Sequence, residues 1–290
     1  SGADPLIEVL PSASGTLNLV DVTLMDAGGA CMRAQGPGLE VTVNGLLFDG
    51  CGDEAAWWRN LDVVASNLTV GAGAGAGIHL AGVRGSVDGL DASAHDGNGA
   101  SLHLQDIDGD LRLVDLKLTS GQGTAALTGG PNRALDLDGG HITGAPGLDV
   151  DDSAGVLRDV VLDGPGTGTA FIAHHGRSNS LLVNGLDVQG YALGVDVHAD
   201  SNEDPAPVQI RDASVQADVA VAADGHPLVL NNVDLTGSVQ LADAVVEVIG
   251  GSIDLEQATV LGDGVLERWI VQRFVSQRDG IPIYCSDGEH

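Results

Sequence analysis

Asp151, His174 and His198 carry the side chains of a first-row metal site and stand 23 and 24 residues apart. The segments holding them align as Leu148-Asp-Val-Asp151, Phe171-Ile-Ala-His174 and Val195-Asp-Val-His198. If these are strands on successive coils, the three side chains leave one face about 4.8 Å apart. Two neutral imidazoles and a carboxylate suit zinc or a copper-like ion at about 2.0–2.2 Å. Calcium prefers oxygen ligands alone. Asp149, Asp152, His175, Asp196 and Asp200 flank the cluster, and such acidic neighbours orient ligating rings. Calcium has its own candidate in the Asp-rich turn Asp106-Ile-Asp-Gly-Asp110, a fragment of a calcium loop.

A second group mixes charges: Asp88, Asp91, Arg112, Lys117, Asp136, Asp138, His141 and Arg158. On one strand face their spacing would be about 6.6 Å along a strand and 4.8 Å between coils. The alternative to a site is a solvated set of ion pairs, each contributing well under ~1 kcal/mol. Trp57-Trp58 is the third feature. On a strand one ring faces the core and the other faces out, and Trp58 is the candidate for stacking on a sugar. Core filling is the other use of the pair. Asn67-Leu-Thr69 is a lone glycosylation sequon.

These residues need a scaffold, and an internal repeat supplies it. An octad recurs: apolar, any, apolar, any, Asp/Asn/Gly, apolar or small, any, apolar. Copies begin at Leu17, Val41, Val63, Gly85, Leu111, Leu135, Gly155, Leu181, Val208, Leu228 and Val246. The fifth position reads Asp21, Gly45, Asn67, Gly89, Asp115, Gly139, Asp159, Gly185, Asp212, Asn232 and Gly250. Period-2 alternation marks a half-buried strand. Asp, Asn and Gly tolerate left-handed backbone angles. Each octad is therefore two short strands joined by a sharp bend. Successive bends lie 18 to 27 residues apart, one turn of a coil. A looser strand follows many octads, as in Ile78-His-Leu80, Leu102-His-Leu104, Leu148-Asp-Val150, Val195-Asp-Val197 and Val239-Gln-Leu241. The expected fold is all-β, a right-handed single-stranded parallel β-helix of about eleven coils. Leu113, Leu137, Leu157, Val183, Ile210 and Leu230 should stack inside it.

This pattern resembles the right-handed parallel β-helix of pectate lyases, polygalacturonases and many surface proteins. The resemblance runs from about Leu17 to Gly262 and is specific for architecture, since the fold hosts enzymes, adhesins and spikes alike. Pectate lyases use carboxylates to bind calcium and an arginine to remove a proton beside a uronate. The resemblance extends such roles to Asp88, Asp136, Asp138, Arg112 and Arg158, beside Lys117. Polygalacturonases place an Asp pair one coil before a His-Gly, and here Asp151-Asp152 precede His175-Gly176, with Arg211 following. The rest of that pattern, an Asn-x-Asp one coil earlier and an Arg-x-Lys, is missing.

Composition bounds the function. The 290 residues include 43 Gly and carry a net charge of -29, with 41 Asp+Glu against 12 Lys+Arg. Such a charge excludes nucleic acid and anionic membrane surfaces as partners. No apolar run approaches a spanning helix. Asp outnumbers Glu 33 to 8 and Lys117 is the only lysine, a pattern similar to proteins of salt-loving microbes. Cys31 and Cys51 are either a disulfide or two thiols, with Cys285 left over. Residues 1–16 read as a cover or first strand and 17–262 as the solenoid. Residues 263–290 read as a C-terminal cap, helical through Leu266, Trp269, Ile270 and Phe274, or as the start of a following immunoglobulin-like module.

The expectation is a non-catalytic extracellular or cell-surface segment of a larger protein, serving as spacer, adhesive or glycan contact. Its partners would be a polysaccharide or another surface protein, beside flanking domains of the same chain. The alternative is a polysaccharide lyase or glycoside hydrolase acting on an acidic polysaccharide.

Overall fold

The computed structural model describes residues 4–261, except 74, 97, 108–109, 121–125, 133, 176–179 and 200–205. Beyond these it describes the backbone of 265–270 and 273–274, and the side chains of 175, 253 and 255–261 are outside the description. The elements run β1 (Ile7–Val9), β2 (Ser14–Met25), β3 (Met32–Gln35), β4 (Gly38–Asp49), β5 (Ala56–Arg59), β6 (Asp62–Val70) and β7 (Ile78–Ala81). There follow β8 (Arg84–Ala92), β9 (Leu102–Gln105), β10 (Leu111–Thr119), β11 (Leu127–Gly129), β12 (Leu135–Thr143), β13 (Leu148–Asp151) and β14 (Gly155–Asp163). The chain continues through β15 (Thr169–His175), β16 (Leu181–Ala199), β17 (Val208–Asp224), β18 (Leu228–Ala242), β19 (Val245–Leu261), β20 (Val265–Ile270) and β21 (Arg273–Phe274). No helix occurs among the described residues.

Two parallel ladders build one solenoid. The octad strands pair in the order β2–β4–β6–β8–β10–β12–β14–β16–β17–β18–β19. The shorter strands pair in the order β1–β3–β5–β7–β9–β11–β13–β15 and then join the second halves of β16 to β19. Pro5 to Pro11 thus contributes a strand, β1, paired to β3. Val265–Ile270 is likewise a strand, parallel to β19, where the sequence left a helical cap and an opening strand both open. Bonding to the open edge of β19 satisfies its backbone groups, which outweighs a short 3.6-residue pattern.

Strand β10 shows why the octad folds this way. Leu111, Leu113, Leu116 and Leu118 are buried while Arg112 and Lys117 are exposed, so the inward phase slips by one residue at Asp115. Asp115 has φ of 50°, and the bend it makes turns both halves toward one core. Every bend position has positive φ, from 49° at Asp212 to 77° at Gly139. Behind the bends, Leu113, Leu137, Leu157, Val183, Ile210 and Leu230 are register partners in sequence. All six are at most 2% exposed, and each such burial stabilises by ~1.5–3 kcal/mol.

The bend column alternates for a steric reason. A Cβ on Gly45 would lie 2.7 Å from Asp21 Oδ1, and one on Gly139 would lie 2.8 Å from Asp115 Oδ1. Asp21, Asp115 and Asp159 thus lay their carboxylates over the next coil, where a glycine leaves room. Where two side chains do adjoin, one is an amide: Asn232 Nδ2 donates to Asp212 Oδ1 at 2.7 Å.

Candidate functional site

The register places Asp151, His174 and His198 on consecutive strands, as the alignment of their segments required. The His174 and His198 rings stack, with centroids 5.6 Å apart and planes 20° apart. Nearly parallel rings send their in-plane lone pairs side by side, whereas tetrahedral ligation needs them to converge. Each ring also meets a carboxylate: His198 Nε2 lies 2.6 Å from Asp196 Oδ1, and His174 Nε2 lies 3.9 Å from Asp149 Oδ1. Burial holds the Asp149 carboxyl above its usual range, and His174 opposes that shift. Among the described residues no group of three His, Cys, Asp or Glu side chains is placed to hold a metal ion.

The neighbouring candidates have structural uses. Asp152 and Asp106 have φ of 41° and 52° and share a second corner with Asn60 at 50° and Gly82 at 60°. Left-handed backbone favours Asp and Asn at such turns, a use the sequence reading did not separate from acid chemistry. The side chain of His175, all of Gly176 and Asp200, and residues 108–109 of the Asp-rich turn lie outside the described residues. Arg211 donates to Gln209 Oε1 at 2.8 Å. Asn67 donates its amide to Asn44 Oδ1 at 3.1 Å.

On the octad face the charges neutralise one another. Arg112 and Asp136 are register partners, as are Asp138 and Arg158. The ion pairs run diagonally instead: Arg112 to Asp138 at 2.7 Å, and Arg158 to Asp136. Lys117 pairs with Asp91 at 3.4 Å. The hydrogen bond from Arg112 to Asp138, followed by the charge of Asp138, raises the guanidinium pKa above its ordinary value. An arginine acting as a base would need the opposite. Asp88 is separated from Asp138 by Val114 in the same register column, so these carboxylates do not adjoin for calcium.

Trp58 is not the outward ring. It is fully buried, in register with Ala34 and Leu80, and belongs to the core. The alternation along β5 turns Trp57 outward instead. Trp57 begins a strip that the sequence reading missed. Trp57, His79 and His103 are register partners on β5, β7 and β9. Trp57 and His79 meet edge to face at 6.3 Å, and Arg59 lies over the indole at 5.8 Å. The signal was present in the sequence, since Ile78-His-Leu80 and Leu102-His-Leu104 repeat a histidine at one outward position.

Cys31 and Cys51 form a disulfide between adjacent coils. Among the described residues no helix is long and apolar enough to cross a membrane. The class these features define is a parallel β-solenoid with outward polar ladders. Comparison of the chain with protein-family models, with curated proteins and with solved structures found no match.

Proposed function

We propose that the chain is a non-catalytic segment of an extracellular or cell-surface protein, a rigid spacer that contacts glycans. The observation that carries this reading is the crossed pairing of Arg112 with Asp138 and Arg158 with Asp136. It commits the arginines to carboxylates where a pectate-lyase-like enzyme would need one as a base. The Trp57–His79–His103 strip supports glycan contact, because aromatic rings in one outward column offer surface on which sugars pack. The Cys31–Cys51 disulfide supports an oxidising compartment. The acidic, lysine-poor composition supports a saline habitat.

The test is incubation with a broad panel of acidic and neutral polysaccharides, assayed for unsaturated and reducing ends, beside a glycan-binding array. No release is expected, with binding weakened by Trp57→Ala. Release of either kind of end from any member would restore the lyase or hydrolase.

A further inference from the structure

The solenoid changes its outline after β14, and the change leaves a cleft. Five residues, 164–168, connect Asp163 at the end of β14 to Thr169 at the start of β15. In the next coil β16 passes through Gly190 to Tyr191 without a break, and β17 and β18 do the same at Ala217 and Gly237. The 164–168 loop therefore forms a lip beside coils that have none. Backbone bonds fix the lip, with Gly164 N donating to Gln189 O at 2.9 Å and Gly166 N to Gly190 O at 2.7 Å. The cleft is open to solvent, encloses about 640 Å³ and has the buried Tyr191 in its wall. That volume lies within the range of small-ligand sites.

Its lining is a ladder. Asp163 and Gln189 are register partners, as are Gln216 and Thr236, while Gln189 and Gln216 directly follow the partners Val188 and Val215. One polar side chain per coil therefore projects along the cleft, at about 4.8 Å spacing. Gly190, Ala217 and Gly237 leave room beside them. Among the described residues, the side chains of Gln189, Gln216 and Thr236 have no protein hydrogen-bond partner. Two other polar pairs on these coils are tied, Asn232 to Asp212 and Ser252 to Asp234.

We propose that this cleft binds a neutral, hydroxyl-rich glycan chain lying along the solenoid axis. Carboxamides and a hydroxyl donate and accept at once, which matches sugar hydroxyls that do the same. The lining contains Asp163 and Asp218 and no cation, so uronate, sulfate and phosphate groups are repelled. The proposal extends the glycan-contacting reading to a second place, away from the Trp57 strip.

The test is calorimetric titration of the whole chain with short linear neutral oligosaccharides, using oligogalacturonate and spermine as charged counter-probes. A neutral series should bind, and Gln189→Ala/Gln216→Ala should weaken it about tenfold, the loss of two ordinary hydrogen bonds. Ala217→Trp, which fills the floor, should weaken it at least as much, with melting curves confirming that each variant folds. Trp57→Ala should leave this binding unchanged. Equal affinity of the double variant and the parent would overturn the site, as would preference for either charged probe. Loss of binding in Trp57→Ala alone would remove the cleft and leave the wider reading standing. Silence from every glycan would remove both.

Discussion

His79 and His103, register partners on β7 and β9, meet edge to face with ring centroids 4.4 Å apart and planes at 87°. His103 Nδ1 lies 2.5 Å from Thr128 Oγ1, and Glu54 Oε1 stands 4.0 Å from His79 Nδ1. Burial, and then His79, hold the His103 imidazole below its usual range, with Glu54 pulling weakly the other way. A depressed histidine binds its proton more readily in the unfolded chain. Its contribution to stability therefore falls as pH drops below the unfolded value of about 6.5. Urea unfolding from pH 8 to pH 5 should show this loss, and His103→Gln should show a shallower slope. Identical slopes in the two proteins would refute the assignment.

The bend column offers a sharper comparison at Gly139, which has φ of 77°. Gly139→Ala should destabilise by about 1–2 kcal/mol, the cost of a Cβ in left-handed backbone, plus crowding against Asp115 Oδ1. Gly139→Asn should be the milder change, because its amide can donate to Asp115 as Asn232 does to Asp212. Gly139→Asp should be the worst, placing a third carboxylate between Asp115 and Asp159. Chemical denaturation ranks the three, and any other order contradicts the steric and charge account.

Leu157 is 1% exposed and lies between Leu137 and Val183 in the inner stack. Leu157→Ala should cost ~2–5 kcal/mol, because neighbours bonded into a ladder collapse poorly into a cavity. A loss below about 1 kcal/mol would mean that the coils repack freely.

Salt should stabilise the solenoid. With a net charge of -29, self-repulsion opposes the compact state in dilute buffer, and the screening length shrinks to about 3 Å at 1 M. Tm should climb between low and molar sodium chloride. A flat or falling profile would count against the charge argument.

The architecture was legible because bends and strands leave local marks. Alternation showed which leucines face in, and Asp, Asn or Gly at the fifth octad position showed where the phase slips. The second corner through Asn60, Gly82, Asp106 and Asp152 was missed, because Asp106 and Asp152 were read for metal and acid chemistry. Choosing Trp58 over Trp57 was an error of one residue in phase, and at period 2 that exchanges core for surface. The register of Asp151, His174 and His198 followed from aligned strands, but the stacking of the rings depends on side-chain torsions that no spacing encodes. The cleft was invisible for a different reason. It arises where a loop in one coil has no counterpart in the next, a difference between coils rather than a motif within one.

The Asp–Gly alternation along the bends also sets which coils this chain can lose. Lifting out the single coil that carries Gly139 would bring Asp115 onto Asp159, carboxylate on carboxylate with no amide between them. Removing the coils of Gly139 and Asp159 together would bring Asp115 to Gly185, a pairing already used at Asp115–Gly139. A glycine coil should therefore be lost only together with an acidic neighbour, whereas loss of the Asp159 coil alone would set Gly139 beside Gly185 without a clash. Related chains should lack acidic coils more readily than glycine coils, unless an asparagine marks the seam, as Asn232 does beside Asp212.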